Sequence, residues 1–438
     1  MKFQVFKDGK AVESFTPCGA YLFGTDGISV RRTKITFKKG CVECIRPNME
    51  TAGLTLLWPI DGFGRIMLPT TCLPERDRPY NLNVEIVRAK LMQITNRRED
   101  WSFFDEIEGM EGVAQESQNL FIDAIQNLRD PERASQLADE SLRKAMVYSE
   151  KLAVRQGKML FDRRRKSHGF SRGCLGCRID PALMTRSAYV DRLAELFASV
   201  TVPVNWARIE ARQGHYDFSD LDACITMLSR RKAVLSAGPL LHFSKESLPD
   251  WLLRSGLGFE KIRETAYQFV SKVVGRYAAV VHRWYVIHGL NAVNQFNFNF
   301  EQILEMTRAA NMAVRAAGSR GVRVIEVNCP WGEYYATTPG SIPPFVYMDM
   351  VVQSGTSFDA FGLQVRFGKD ETGMHLRDMM QISSILDCFG PVAKPLHITD
   401  VQIPSESGKG PFDVEVAGLW HRKWDQTRQA QWLDRFYK

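Results

Sequence analysis

The chain lacks the features that mark membrane, secreted and disulfide-stabilised proteins. It has no apolar run of the roughly 18 residues that a membrane-spanning helix needs. Its first residues, Met1-Lys2-Phe3-Gln4-Val5-Phe6, hold neither the apolar core nor the small-residue cleavage site of a signal peptide. Its nine cysteines are an odd number in 438 residues, which argues against a complete disulfide framework. We therefore expect a cytoplasmic protein with reduced thiols and no membrane partner.

Signals for nucleic acid, nucleotides and metals are also weak. The net charge of +7, from 57 basic and 50 acidic residues, is small for this length. The clearest basic run, Arg163-Arg164-Arg165-Lys166, fits a solvated helix end whose dipole favours cations. The pairs Cys41/Cys44 and Cys174/Cys177 are too far apart for a zinc ribbon, and no glycine-rich phosphate loop occurs. We expect no nucleic-acid partner, no metal and no cofactor, and we make no prediction of oligomeric state.

Three stretches of the chain differ in pattern. Residues 1–80 hold short β-like runs separated by Asp-Gly and Lys-Gly turn signals, which predicts a small antiparallel β-sandwich. Residues 81–166 change to helical spacing, with a helix start at Asp130-Pro131-Glu132, and we interpret them as a helical connector. Residues 167–438 form the third stretch.

Apolar strand-like runs alternate with amphipathic helices in this third stretch. The runs are 176–179, 200–204, 233–236, 284–287, 322–327, 358–363 and 395–399. Repeated β-then-α order predicts an α/β fold with a parallel sheet, either doubly wound or closed into a (β/α) barrel. An eighth strand is not evident in the pattern.

Aromatic and polar side chains recur at or near the ends of these runs. They are Trp206, His242, Trp284, His288, Asn291, Asn328, Trp331, Glu333, Gln364 and Asp400. The carboxyl ends of barrel strands form the active face, and this mixture of rings and hydrogen-bonding groups suits a polyhydroxylated ligand. Taken singly, a tryptophan is more often a core residue and a histidine more often a structural one.

Several segments in this region resemble glycoside hydrolase family 10, the xylanase-type barrels. The resemblance covers roughly residues 170–438, and its motifs are Val204-Asn205-Trp206, Leu248-Pro249-Asp250-Trp251, Trp284-Tyr285-Val286-Ile287-His288-Gly289, Phe361-Gly362-Leu363-Gln364 and Ile398-Thr399-Asp400. It implies a (β/α)8-type TIM barrel, here with the eighth strand missing, that hydrolyses O-glycosidic bonds. Together with the pattern of side chains at the strand ends, the resemblance predicts that an oligosaccharide or glycoside contacts Asn205, Trp206, His242, Trp284, His288, Asn291, Trp331 and Gln364.

Both catalytic glutamates of that family are substituted. Gly289 stands at the acid/base position and Asp400 at the nucleophile position. Loss of a general acid typically costs about 10²–10⁴ in rate, and Glu333 is the nearest candidate replacement. Asp400 is shorter than glutamate by one C–C bond of roughly 1.5 Å. That widens the gap towards the roughly 6.5–9.5 Å of inverting enzymes, so we expect Asp400 and Glu333 to act with inversion.

Two further interpretations stay open. The protein could be a catalytically inactive sugar-binding or scaffold protein on the same barrel. His288, Cys329 and Asp400 could instead serve metal or nucleophilic chemistry. For Glu333 the structural alternative is an ion pair with a neighbouring arginine, and for Asp400 it is a helix or loop cap.

Overall fold

The N-terminal part of the protein is built from short strands. The structure, a computed structural model, describes residues 1–101, 107, 109–110, 112–171, 173–407 and 414–438. The strands are β1 (Lys2–Gln4), β2 (Phe6–Lys7), β3 (Lys10–Ala11), β4 (Tyr21–Phe23), β5 (Lys34–Lys38), β6 (Cys41–Ile45), β7 (Gly53–Ile60), β8 (Gly64–Pro69) and β9 (Tyr80–Asn81). One sheet has the order β5-β6-β1-β9, a second contains β8, β7 and β4, and β2 pairs with β3. The two larger sheets bury Phe3, Val42, Leu54 and Trp58 in a common core.

Three helices follow these sheets. They are α1 (Leu82–Asp100), α2 (Val113–Gln126) and α3 (Pro131–Ser167). The side chain of Asn81 caps α1, and that of Asp130 caps α3, which has proline at its first position as the sequence predicts. The helices share their core with the N-terminal sheets and with Val365 and Met380 of the following region. The division of the chain into three domains therefore stays a prediction.

The remaining elements alternate between strand and helix. They are β10 (Gly176–Arg178), α4 (Ser187–Leu196), β11 (Ser199–Val202), α5 (Trp206–Ile209), α6 (Ser219–Arg230), β12 (Val234–Ala237), β13 (Leu241–His242), α7 (Asp250–Leu253), α8 (Phe259–Tyr277), β14 (Val281–His288), α9 (Phe300–Ala316), β15 (Val322–Val327), α10 (Pro344–Gln353), β16 (Ala360–Arg366), α11 (Met379–Phe389), β17 (Leu396–Gln402), α12 (Val414–Ala417), β18 (Leu419–Trp420) and α13 (Gln426–Tyr437). Short 3-10 turns lie at Pro181–Leu183, Glu333–Ala336 and Gly390–Val392. Within the described ranges, no helix is both long and apolar enough to cross a bilayer.

The parallel sheet confirms the predicted fold class. Its strands follow the order β10-β11-β12-β14-β15-β16-β17, all parallel, and β13 adds to β14 beyond the end of β12. Each of the seven runs expected from the sequence contains or overlaps one of these strands. In the part of the chain that the structure describes, no strand joins β10 to β17. The protein is therefore a nearly closed (β/α) barrel with one strand missing.

The segment after β17 pairs elsewhere. Strand β18 lies antiparallel to β8, with Leu419 opposite Arg65 and Trp420 opposite Gly64, so it becomes the edge strand of the second N-terminal sheet. Gly64 has a φ of +117°, and a Cβ there would lie 2.2 Å from the carbonyl oxygen of Leu419. Only glycine allows this close approach of the two backbones.

The two faces of each barrel strand have different surroundings. Outward side chains such as Leu235, Ile325 and Phe361 pack in the main core beneath the helices. Tyr285, Val324 and Ala360 form a separate small cluster on β14, β15 and β16, which places them on the inner face. Above this apolar layer, towards the carboxyl ends of the strands, the interior becomes polar.

Candidate functional site

A buried carboxylate occupies the middle of the barrel interior. Glu326 follows Val324 by two residues on β15, so both face inwards, and its side chain has 0% exposure. Its register neighbours are His288 on β14 and Gly362 on β16. A Cβ at Gly362 would lie 2.6 Å from Cγ2 of Thr399 and 3.2 Å from Cγ of Glu326. Glycine at 362 therefore leaves the room that these two inward side chains fill.

Glu326 is held between two basic side chains. Nδ1 of His288 lies 3.4 Å from one carboxylate oxygen, and Nη2 of Arg178 on β10 lies 3.8 Å from the other. Burial by itself would raise the pKa of Glu326, but its contacts with His288 and Arg178 outweigh burial and hold that pKa well below its ordinary value. Glu326 is consequently an anion at neutral pH.

A second histidine completes this group. The ring of His242 meets that of His288 edge-to-face, with 4.7 Å between centroids, and its Nδ1 lies 3.0 Å from the hydroxyl of Ser247. Burial, followed by the neighbouring His288, lowers the pKa of His242 to about 3. His242 is therefore neutral at physiological pH. We refer to Arg178, His242, His288 and Glu326 as the barrel cluster.

Polar side chains continue along the inner face towards the strand ends. Alternation along β16 places Gln364 and Arg366 on the same side as Gly362, and Gln364 is opposite Asp400 in register. Nε of Arg366 lies 3.6 Å from the Asp400 carboxylate, and the same arginine donates to the side chain of Gln402 at 2.8 and 3.0 Å. The oxygen of the buried Gln364 amide has no hydrogen-bond partner among the described residues. His288, Gln364 and Asp400, which lie far apart in the sequence, thus come together on one inner face.

Glu333 lies in a different environment. It begins the 3-10 turn after β15, which contacts strand β4 of the N-terminal sheets. Its carboxylate accepts a short hydrogen bond from Arg377, which also donates to the hydroxyl of Tyr21 at 3.2 Å. The side chains of Glu333 and Arg377 are 5% and 4% exposed. This is the ion-pair alternative anticipated for Glu333, and it joins the barrel to the N-terminal sheets.

The predicted aromatic platforms are packed into cores. Trp206 is 3% exposed, stacks on Phe269 at 4.6 Å and donates to Glu210 at 2.8 Å. Trp284 is fully buried on the outer side of β14 and donates to Ser319 at 2.9 Å. Neither ring offers a free face to the barrel interior, so the expectation that they contact a saccharide is not supported by their positions.

The third tryptophan, Trp331, lies apart from the barrel interior. It is half-buried against Phe367, with the Arg377 guanidinium 5.2 Å from its ring. It lines a cavity between the N-terminal sheets and α1, together with Tyr21 and Lys90. This position is next to Glu333 rather than beside the barrel cluster.

Two asparagines expected to bind ligand have local structural contacts. Asn205 caps α5 by accepting from the backbone N–H of Arg208 at 3.1 Å. Asn291 is fully buried and donates to the hydroxyl of Tyr334 and, at 3.5 Å, to the carbonyl of Asn328. These contacts use the side-chain oxygen of Asn205 and the side-chain nitrogen of Asn291, while Oδ1 of Asn291 has no hydrogen-bond partner among the described residues.

Arg178 and Glu326 lie outside the set that the sequence predicts. The available signal is the position of Glu326 inside the apolar run Val322–Val327, where a charged residue at an inward position needs a buried partner. Arg178 ends the first strand and gives no comparable signal.

Thiol and metal chemistry find little support. Burial, followed by the nearby Glu333, raises the pKa of the Cys329 thiol to about 12, which opposes the thiolate that a nucleophile needs. No group of three or more histidine, cysteine or acidic residues able to hold a metal is found within the described ranges.

Comparisons with known proteins give only distant similarity. No family model and no curated protein matches the chain. Among solved structures, GH10 from Paenibacillus barcinonensis is 17% identical and covers 55% of this chain and 74% of its own, with a TM-score of 0.44. A psychrophilic glycoside hydrolase family 10 endo-β-1,4-xylanase is 13% identical, with coverage of 60% and 81% and a TM-score of 0.45. Xylanase 10B from Thermotoga maritima is 14% identical, with coverage of 54% and 73% and a TM-score of 0.41. Because these values are low, the assignment of the barrel rests on its own strand order.

Proposed function

We propose that the protein binds a neutral oligosaccharide or glycoside on the inner face of the barrel, at the carboxyl ends of its strands, and does not hydrolyse it. The ligand would lie over the barrel cluster and contact Gln364 and Asp400. The observation that carries the proposal is that these groups converge on one inner face and that several of their hydrogen-bonding atoms are exposed or lack a partner.

The hydrogen-bonding groups of this face suit hydroxyl groups. Nε and Nη2 of Arg178 are buried donors, while the oxygens of Glu326 and Gln364 are buried acceptors, and none has a well-formed hydrogen bond to a described residue. Every hydroxyl of a sugar can donate and accept, so one ligand can pair with both kinds of group. Leaving such groups unpaired in the interior would cost about 1–3 kcal/mol each.

The carboxylates argue against glycosidase chemistry. A hydrolase needs one carboxyl group that stays protonated near neutral pH and a second on the opposite side of the bond. Asp400 faces Arg366, and Glu333 is paired with Arg377. The lowered pKa of Glu326 makes that residue a poor proton donor. Each of these three carboxylates thus lies beside a basic side chain rather than beside a second carboxyl group.

Binding and turnover should be measured on the same samples. Xylo-oligosaccharides and a panel of aryl glycosides would be titrated by calorimetry and also followed for product release. We expect binding without turnover, and at least tenfold weaker binding in Gln364→Leu and His288→Leu. Arg192→Gln, which changes an exposed side chain paired with Glu195, is the matched control and should bind normally.

Turnover would favour the hydrolase alternative. If Asp400→Asn abolished that turnover, the proposal of a binding protein would be wrong, and NMR of the first-formed anomer would test the expected inversion. Normal binding in both Gln364→Leu and His288→Leu would contradict the proposed location of the saccharide site.

A further inference from the structure

A second cavity lies at the opposite end of the barrel. Its volume is about 730 Å³, and it is lined by Arg283 and Tyr285 of β14, by the first residues of β17 and by parts of α3, α11 and α13. The residues that precede β10 and the first residues of β17 both line it. Arg283 in this cavity and His288 in the barrel cluster are five residues apart on one strand, about 16 Å at roughly 3.3 Å per residue.

An arginine without a counter-charge faces this cavity. Arg283 is opposite Ser236 in register and precedes the outward Trp284, so it points to the inner face. Its Nε is buried without a hydrogen-bond partner, and among the described residues no carboxylate lies within ion-pair distance of it. By contrast, Arg323 on the neighbouring strand bonds to Asp359 through both its backbone and its guanidinium.

Arg283 is partly buried, and its buried Nε is a donor without a partner. An anion in the cavity would accept from this donor and compensate the charge. Arginine also presents a planar fork of donors that matches a carboxylate or phosphate. His397 lies in the same cavity and adds a further polar group near Arg283.

The walls around Arg283 carry both apolar and polar side chains. Leu160 of α3, Leu386 of α11 and Phe436 of α13 line the cavity. Arg164 and Arg435 also line it, but Arg164 donates to the carbonyl of Gly169 and Arg435 is paired with Glu150. The cavity therefore combines Arg283, which has no ion-pair partner, with several apolar side chains along its walls.

We propose that this cavity binds an amphipathic anion, a molecule with a single carboxylate or phosphate head and an apolar body. The head pairs with Arg283, and the body lies against Leu386 and Phe436. This site is separate from the saccharide site and makes no use of the barrel cluster.

Calorimetric titration with octanoate, octyl phosphate, octan-1-ol and inorganic phosphate tests the proposal. We expect octanoate or octyl phosphate to bind at least tenfold more tightly than octan-1-ol, a difference of about 1.4 kcal/mol. Inorganic phosphate, which lacks the apolar body, should bind more weakly than octyl phosphate. The preferred head group then distinguishes a carboxylic acid from a phosphate ester as the source.

Two variants separate a binding role from a structural one. Arg283→Gln should lose at least tenfold in affinity for the anionic probes while its melting temperature without ligand stays the same or rises, because an uncompensated charge is removed. Arg323→Gln, the matched control, should keep its affinity and lose stability, because the guanidinium contacts with Asp359 and with the Ser357 carbonyl are removed. A third variant, Leu386→Trp, should block binding by filling the cavity.

Three results would overturn the proposal. They are equal affinity for octan-1-ol and octanoate, unchanged affinity in Arg283→Gln, and a fall in melting temperature in Arg283→Gln as large as that in Arg323→Gln. Saccharide binding should be normal in Arg283→Gln. The anion-binding proposal and the saccharide-binding proposal can therefore be refuted independently of each other.

Discussion

His242 makes the stability of the barrel depend on pH. Its pKa is lowered to about 3 by burial, whereas a histidine in the unfolded chain titrates near 6.5. Between these values the unfolded chain binds a proton that the folded protein does not. Stability is therefore fully present above about pH 6.5 and falls as the pH drops towards 3.

The size of the effect follows from the same two values. At pH 5 the solution is about 1.5 units below the unfolded pKa, and each unit is worth about 1.36 kcal/mol, so His242 alone should lower the free energy of unfolding by about 2 kcal/mol relative to pH 7.5. Glu326 adds to this loss only below about pH 4.5, because its own pKa is shifted down from the ordinary value of 4.5.

Urea unfolding at pH 7.5 and pH 5, followed by tryptophan fluorescence, measures the loss. The variant His242→Asn should lose about 2 kcal/mol less than the unmodified protein between the two pH values. His215→Asn, which changes an exposed histidine, is the control and should behave like the unmodified protein. Equal losses in His242→Asn and the unmodified protein would refute the assignment of this proton uptake to His242.

Three other substitutions test a buried ion pair and the close contacts at two glycines. Glu333→Gln removes one partner of a buried ion pair and should lower the free energy of unfolding by about 3–5 kcal/mol, with much of the loss recovered in the double variant Glu333→Leu/Arg377→Met; no loss would contradict the buried pairing. Gly362→Ala should cost about 1–3 kcal/mol by overpacking, and Thr399→Ser, which removes the clashing methyl group, should restore stability if that contact is the cause. Gly64→Ala should speed hydrogen exchange at Leu419, whereas Gly62→Ala, which also has a positive φ but open space around it, should not.

The strands of the barrel were predictable because of where they lie. Central parallel strands are buried on both faces and read as continuous apolar runs, such as Val322–Val327. Because both faces of such a strand are buried, the run does not indicate which side chains point into the barrel and which point outwards. Trp284 follows Arg283 directly, and nothing in an apolar run says which of the two faces the interior. A ring expected to bind ligand is consequently a core residue, and its neighbour lines a cavity.

Partners distant in sequence account for the remaining differences. Arg377 follows Glu333 by 44 residues, and only the folded chain shows that the two side chains meet between the barrel and the N-terminal sheets. The inner position of Gln364 and Asp400 was predictable because a family resemblance located them at strand ends. Arg178, which ends β10 and contacts Glu326 across the interior, has no such signal.

The position of β18 has a consequence for folding during synthesis of the chain. It occupies the free edge of β8, yet 349 residues lie between these two strands along the chain, since β8 ends at Pro69 and β18 begins at Leu419. While the ribosome is still synthesising the barrel region, the edge of β8 has unpaired backbone N–H and C=O groups. Such groups are a template for association with other chains. A nascent or prematurely ended product should therefore need protection by a chaperone until β18 has left the ribosome and paired with β8.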